Sequence, residues 1–280
     1  MDNDSNQWQL LIFKQLQPLH IGMGPYGVMN ETRIFIPGWT MWGALTKAYN
    51  VYSGENLSEN QDLFEYISCF WPAFDPSDKN ILFPEFRNGK FQLGDYSEDK
   101  FRLQFVETMV STAITPVSRM ATDESLHEID VLLPAAKKAL AGNTELKELF
   151  WVGVFKINDE KGEKKVEEFL GRAQSLGNAL QIVVGGESRY GLGRLALVEK
   201  KPLTNNEMLE QFKAANYLSV EIAKNVQAPI EAIALIDSSQ KSELKIKDLT
   251  YCFAPDIQVK GKIDLEKLSL KKGILQKHAN

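Results

Sequence analysis

The chain has 280 residues, 44% of them hydrophobic and 25% charged, and its 32 Lys and Arg against 37 Asp and Glu give a net charge of −5. This size and composition are typical of a soluble globular protein with one elaborated domain or two ordinary ones. The N-terminus is acidic and polar and no apolar run approaches membrane-spanning length, so we expect a cytoplasmic protein without membrane contact. Cys69 and Cys252 lie in no CxxC or Cys/His pattern, which argues against a disulfide framework and a zinc site.

The first fifty residues predict a strand, a loop and a helix. The mainly apolar run at residues 7–19 is the first predicted strand, and the glycine-containing loop at residues 22–27 follows it. A short extended segment, residues 32–36, ends at Pro37. Thr40 then occupies the position of an N-cap, and apolar residues at helical spacing predict a helix that continues to about Val51.

Residues 53–100 show no sustained hydrophobic period and are rich in Asn, Asp, Ser and aromatic residues. We interpret them as an insertion with its own small aromatic core. Residues 101–114 resume a strand pattern, and residues 115–142 are an irregular excursion that contains Arg119 and His127.

The second half of the first 200 residues adds two strands and a helix. Residues 149–158 and 195–198 read as strands, and the apolar residues from Val166 to Leu180 mark one face of a helix between them. The core order is therefore strand, helix, strand, strand, helix, strand. This order predicts an α+β fold with a ferredoxin-like (RRM-like) split βαβ core.

The predicted domain organisation has two parts. Residues 1–200 form the ferredoxin-like domain, with long insertions at about residues 53–100 and 115–147. Residues 201–280 form a β-rich C-terminal extension with a basic tail. Within it we predict a helix near residues 205–215, strands at residues 217–223 and 230–236, and a tail with six lysines: Lys260, Lys262, Lys267, Lys271, Lys272 and Lys277.

Residues 185–194 carry the most distinctive local pattern, because four glycines and two arginines lie between a predicted helix and a predicted strand. Bare backbone amides and fixed cations can together bind an anion, and a nucleic-acid phosphate is the anion we favour. The net charge of −5 argues against nucleic-acid binding by the surface as a whole. It does not exclude such binding at one place, since binding needs only a local basic stripe.

Residues 22–27 formally match the GxGxxG pattern of dinucleotide-binding folds. That fingerprint requires a helix to open within the loop, whereas Pro25 and the extended segment after it delay any helix until about residue 40. We therefore predict a turn at the end of a strand and no nucleotide cofactor.

Three short blocks, in this order, carry a family resemblance: Pro18-Leu19-His20-Ile21-Gly22, then Ile36-Pro37-Gly38-Trp39-Thr40-Met41-Trp42-Gly43-Ala44-Leu45, then Gly185-Gly186-Glu187-Ser188-Arg189-Tyr190-Gly191-Leu192-Gly193-Arg194. Over about residues 8–199 the chain resembles the RAMP superfamily of CRISPR-associated proteins, with its "hIG" first strand, "IPGssLkGaLr" helix start and "GGxxRxGxGR" loop. The resemblance implies an RRM-like fold and a place in a multisubunit, RNA-guided effector of type III, where such subunits hold guide RNA beside other RAMP subunits and possible target nucleic acid.

The resemblance also implies which residues meet RNA. The helix-start serine and basic residues of the family fall here on Trp39, Trp42 and Thr46, which leaves Thr40 and Lys47 to face phosphate. Trp39, Trp42 and Tyr26 either stack on unpaired bases or belong to the core or a subunit interface. The residues predicted to bind RNA are Gly185, Gly186, Arg189, Tyr190, Gly191, Gly193, Arg194, Arg119, Thr40, Lys47 and Tyr26, with Arg119 on a thumb-like element.

Three functions remain open at this stage. The one we favour is a noncatalytic subunit that binds guide RNA, because residues 23–32 contain no Asp in the loop where target-cleaving family members have one. An endoribonuclease using His20, or Asp123 and His127 in the cluster at residues 123–130, is the alternative. A structural scaffold without RNA contact is the third. We predict neither a metal nor another cofactor, and Arg189 and Arg194 could instead pair with Glu187 or Glu199.

Overall fold

The computed structural model describes residues 8–26, 29–56, 59–77, 79–87, 90–115, 117, 119–122, 125–137, 146–156, 160–175, 179–203, 206–216, 268–271 and 274–277. In chain order the elements are β1 (Trp8–Gln15), β2 (Gly22–Tyr26), β3 (Met29–Thr32), α1 (Gly38–Ser53), β4 (Trp71–Ala73), β5 (Pro84–Arg87), β6 (Lys90–Leu93), β7 (Tyr96–Ser97), α2 (Glu98–Phe105), β8 (Val106–Ser111), β9 (His127–Leu132), β10 (Phe150–Lys156), α3 (Glu160–Ser175), β11 (Gln181–Val183), β12 (Arg194–Pro202), α4 (Asn206–Asn216), β13 (Leu268–Lys271) and β14 (Ile274–Lys277).

The central sheet has five strands in the order β11-β12-β1-β10-β4, and every neighbouring pair is antiparallel. The four strands β1, β4, β10 and β12 have the spatial order of a ferredoxin-like fold, with α1 between the first two and α3 between the last two. The structure therefore confirms the predicted α+β, ferredoxin-like class.

Both core helices bury aromatic side chains in one hydrophobic core with the sheet. Tyr49 of α1 meets Phe169 of α3 edge to face, with ring centroids 5.4 Å apart. Trp71 of β4 and Trp151 of β10 are completely buried. Such aromatic burial supplies much of the area that stabilises a domain of this size.

A second sheet of four strands, β2-β3-β9-β8, adjoins the end of β1. The chain passes from β1 to this sheet at Leu19, whose backbone exchanges hydrogen bonds of 2.8 and 2.9 Å with Leu132 of β9. β2 covers residues 22–26 of the GxGxxG match and pairs with β3, and no helix begins before Gly38 among the residues that the structure describes. Gly22–Tyr26 are thus a strand, whereas the sequence predicted a turn at the end of a strand here, because the glycines and Pro25 were taken as turn signals.

The second strand of the ferredoxin-like core differs from the prediction. This strand is β4, which lies within residues 53–100, and not the strand predicted at residues 101–114. Residues 101–105 instead form the end of helix α2, and the strand that follows them, β8, belongs to the second sheet. The sequence signal missed here is the Ser97 N-cap, whose side chain accepts a hydrogen bond from the Lys100 amide. Pro72 obscured β4, because a proline argues against a central strand but is tolerated on the edge strand that β4 forms.

The aromatic residues of this segment do not form a separate small core. Phe64, Phe70 and Trp71 are buried in the same cluster as residues of β1 and α1. That expectation from the sequence was therefore wrong, because composition alone does not show against which element an aromatic side chain packs.

Of the C-terminal predictions, the helix near residues 205–215 is confirmed as α4. β13 and β14 form an antiparallel hairpin that includes Lys271 and Lys277. The strands predicted at residues 217–223 and 230–236, and Lys260, Lys262, Lys267 and Lys272, lie outside the described residues. No helix among the described residues is long and apolar enough to span a membrane.

Candidate functional site

The glycine segment, residues 185–194, is a closed loop between β11 and β12. Its neck is fixed by a hydrogen bond of 2.8 Å from the Val184 amide to the Gly193 carbonyl. Two further bonds attach it to the chain after β1: the Gly193 amide donates to Pro18 at 2.8 Å and the Gly186 amide to His20 at 2.9 Å. The first and third blocks of the sequence pattern are therefore in direct contact.

Two of the glycines are required by this contact. Gly185 has φ +80° and Gly193 has φ +89°, in the left-handed region that side chains disfavour. A Cβ at Gly185 would overlap the backbone oxygen of His20, and one at Gly193 would overlap that of Val184. Only glycine allows the two backbones to approach this closely.

Between these anchors the segment turns outward. Ser188–Tyr190 form one turn of 3-10 helix, which ends at Gly191 with φ +79°. Arg189 and Tyr190 are exposed, whereas Leu192 is buried against Ile129 and Val131 of β9. The segment thus presents a cation and an aromatic ring to solvent from a base held by both sheets.

A groove of about 480 Å³ lies beside the glycine segment, where the start of β2, the start of α1 and the end of β11 meet. Its lining residues are Ile21, Gly22, Arg33, Pro37, Trp39, Thr40, Gly43, Ala44, Lys47, Val183 and Gly185. The groove therefore contains residues from all three blocks of the family pattern.

The basic residues of the groove lining are Arg33 and Lys47, and the lining includes no acidic residue. Lys47 is exposed, whereas Arg33 is only 6% exposed. Three lining positions are glycines, so backbone is accessible where side chains would otherwise project. At Gly43 a Cβ would have no neighbour within 4 Å. Such a surface suits an anion with several oxygen atoms.

The start of α1 differs in detail from the prediction. The helix begins at Gly38 with Pro37 at the N-cap position, so Thr40 is not the N-cap. The Thr40 and Met41 amides both donate to the Pro37 carbonyl, at 3.0 and 3.1 Å. Proline replaces a capping side chain here, because its fixed φ sets the entry of the chain into the helix.

His20 is buried beneath the glycine segment, with 7% of its surface exposed. Its Nδ1 lies 2.7 Å from the Asp130 carbonyl oxygen, so Nδ1 carries the proton and donates. The Asp130 carboxylate in turn accepts a hydrogen bond of 2.8 Å from the Thr108 hydroxyl. His20 thereby joins the end of β1, the glycine segment and the second sheet.

The structure brings only some of the predicted RNA-binding residues together. Gly185, Thr40 and Lys47 line the groove. The other glycine-segment residues, Gly186, Arg189, Tyr190, Gly191, Gly193 and Arg194, belong to the adjoining loop and the start of β12, and Gly193 is buried. No acidic residue in the described part of the chain pairs with Arg189 or Arg194, and Glu199 instead pairs with Lys201 at 3.5 Å.

Two further predicted residues lie away from the groove lining. Arg119 is exposed in the connection between β8 and β9, in the left-handed region with φ +55°. Tyr26 is the last residue of β2. Their contact with RNA stays a prediction.

Arg33 and Val183 were not among the residues predicted from the sequence. Arg33 follows β3 directly and precedes the apolar run Ile34-Phe35-Ile36, a setting in which an arginine is rarely buried unless it is paired. That setting was the available signal. The sequence around Val183 gave no such signal, because the place of Val183 in the groove depends on the pairing of β11 with β12.

Two of the residues proposed for catalysis, His20 and His127, have different hydrogen-bond partners. His127 lies in β9 three residues from Asp130, and its Nδ1 is 3.1 Å from the Ser125 carbonyl oxygen. Asp123 lies outside the described residues. Among the residues that are described, no group of three or more His, Cys, Asp or Glu could hold a metal ion.

No protein-family model and no curated protein matches the sequence. Among solved structures, the chain is similar to a Type III-B Cmr-beta complex bound to cognate target RNA and AMPPnP, at 16% identity and a TM-score of 0.44 over 68% of this chain and 61% of that one. A chain of a second structure, Type III-B Cmr-beta bound to cognate target RNA, has 16% identity and a TM-score of 0.41, and the match covers 67% of this chain and 62% of that chain. A chain of the apo state of Type III-B Cmr-beta has 8% identity and a TM-score of 0.42, and the match covers 69% of this chain and 97% of that chain.

The described chain therefore matches less than two thirds of the length of the first two of these structures. Likenesses of this strength leave the function of the chain to be inferred from its own residues.

Proposed function

We propose that this chain is a noncatalytic RNA-binding and assembly subunit of a type III CRISPR ribonucleoprotein, and that the groove beside the glycine segment holds the backbone of the guide RNA. The observation that carries the proposal is the convergence of all three family-like blocks on one groove whose lining has two cations and no acid. Each block alone is a weak pattern. Their meeting in space is what a shared ligand requires.

The charge distribution supports a phosphate ligand. The chain is acidic overall, with a net charge of −5, yet Lys47 and Arg33 line the groove and Arg189 and Arg194 are exposed close by in sequence to Gly185. Contacts of this kind fix the position of a nucleic acid without reading its sequence. We therefore expect binding that depends strongly on salt and weakly on sequence.

The environment of His20 favours a holding role over catalysis. A general base needs an accessible nitrogen within hydrogen-bond reach of the proton that it removes. His20 is nearly buried and its Nδ1 hydrogen is bonded to Asp130. His127 has a separate partner, since its Nδ1 is 3.1 Å from the Ser125 carbonyl oxygen.

The test is the salt dependence of RNA affinity in a variant that lacks three exposed cations, Lys47→Ala, Arg189→Ala and Arg194→Ala. The probe is an unstructured 12-nucleotide uridine RNA. Each lost phosphate contact should reduce the slope of log K against log salt by about 0.7, so the triple variant should lose about 2 units of slope. We also expect at least about a tenfold loss of affinity at low salt.

The matched control removes the same charge elsewhere: Lys79→Ala, Lys164→Ala and Lys165→Ala are exposed and line no part of the groove. This control should retain the slope of the wild-type protein. Equal losses in both variants would mean that RNA is held by net charge alone, and no loss in either would contradict the proposal. RNA cleavage by the purified protein would favour an endoribonuclease.

A further inference from the structure

The groove is not lined by charge alone. Trp39 on the first turn of α1 and Val183 on β11 also line it, and these side chains are 37% and 43% exposed. A site for a bare phosphate has no use for an exposed indole. An apolar surface beside two cations instead matches the two halves of a nucleotide, its base and its phosphate.

The two tryptophans of α1 have different surroundings. The Trp42 indole donates a hydrogen bond of 2.6 Å to the Gln61 carbonyl and packs against the core. Trp39, in contrast, has neither a hydrogen bond nor a ring contact in the described part of the structure. Trp42 is thus explained by the fold, and Trp39 is not.

The size of the groove limits its occupant. A volume of about 480 Å³ lies in the range of pockets that hold small molecules and has room for one nucleotide unit. Within a duplex both faces of a base are already stacked. Trp39 can therefore stack only on an unpaired, unstacked base.

We propose that the groove holds one unpaired nucleotide, with its base stacked on Trp39 and its phosphate beside Lys47. Arg33 adds a second positive charge to the lining, and Gly22, Gly43 and Gly185 leave room for the ribose and phosphate. This inference rests on the proposed function and adds to it a preference for single-stranded RNA with its bases present.

The experiment compares two 12-nucleotide probes, one of uridine and one with the same ribose-phosphate backbone but no bases. Wild-type protein binds the uridine probe more tightly, and Trp39→Ala weakens that binding about 5- to 140-fold, the range of a single lost base stack. The Trp39→Ala variant should bind the uridine probe and the probe without bases with nearly equal affinity. Trp39→Phe, which retains an aromatic face, keeps most of the preference for the uridine probe.

A second measurement separates the failure of this inference from the failure of the proposed function. Stacking releases no counterions, so Trp39→Ala leaves the salt slope unchanged, whereas Lys47→Ala lowers it by about 0.7. If Lys47→Ala lowers the slope and Trp39→Ala changes no RNA affinity, the groove binds backbone alone and this inference is wrong. If neither substitution has an effect, the proposed function fails as well.

Two controls exclude indirect effects. Val51→Ala removes an apolar side chain from α1 that is 68% exposed and lines no part of the groove, and it should leave both affinities unchanged. Thermal unfolding should show that Trp39→Ala remains folded. Loss of binding to a neighbouring protein subunit by Trp39→Ala, with RNA affinity intact, would assign the indole to a protein contact and overturn the inference.

Discussion

Gly185 and His20 meet through their backbones at the edge of the groove. Gly185 takes a left-handed conformation directly against the His20 carbonyl, which also accepts the Gly186 amide. The imidazole of His20 then reaches the Asp130 carbonyl in the second sheet. The geometry of the groove therefore depends on the absence of a side chain at Gly185 and on the hydrogen bond from the His20 imidazole to the Asp130 carbonyl.

Gly185→Ala and Gly191→Ala should have different effects on stability. Both positions have φ near +80°, which costs an alanine about 1–2 kcal/mol, but only at Gly185 would the Cβ also overlap backbone. We expect about 1 kcal/mol of destabilisation for Gly191→Ala and a clearly larger loss for Gly185→Ala, measured by urea unfolding. Equal losses would contradict the close contact between Gly185 and His20.

His20→Ala should lower the free energy of unfolding by about 1–3 kcal/mol, because the Asp130 carbonyl would lose a buried donor. RNA affinity should fall with the loss of loop geometry. Urea unfolding and the uridine probe measure the two effects. Unchanged stability together with loss of an RNA-cleaving activity would instead assign His20 to catalysis.

At the scale of elements, the sequence was most informative where periodicity was strong. β1, α1, β10, α3 and β12 were each predicted within a few residues, because amphipathic periods and proline or glycine boundaries mark them directly. β4 was not predicted, since it has only three residues and contains Pro72. Its place at the sheet edge is set by packing with β10, which no local pattern encodes.

Gly153→Ala tests the packing that places the segment of β4 against β10. A Cβ at this position would lie 2.5 Å from ring atoms of Phe70, the residue before β4. Overpacking of this kind should destabilise the protein by about 1–3 kcal/mol in urea unfolding. Phe70→Leu in the same chain should recover part of that loss, because it shortens the opposing side chain. Strictly additive losses in the double variant would contradict this contact.

At the scale of the whole molecule, the acidic balance of the chain and a local basic groove are compatible because charge is distributed unevenly. The second block of the family pattern ends at Leu45 and the third begins at Gly185, so only the tertiary fold brings the blocks together, in part through the sheet order β11-β12-β1. Sequence reasoning could thus identify Gly185, Thr40 and Lys47 from their motifs. It could not place Arg33 and Val183 beside them, because tertiary pairing brings these residues to the groove.

Crosslinking can locate bound RNA directly on the protein. Purified protein is crosslinked to a 12-nucleotide RNA that contains 4-thiouridine, and the crosslinked peptides are identified by mass spectrometry. RNA held in the groove should give crosslinks within residues 18–47 and 181–194, and these crosslinks should be lost in the triple variant Lys47→Ala, Arg189→Ala and Arg194→Ala. Crosslinks confined to α3 or to the β13–β14 hairpin, and unaffected by that variant, would contradict it.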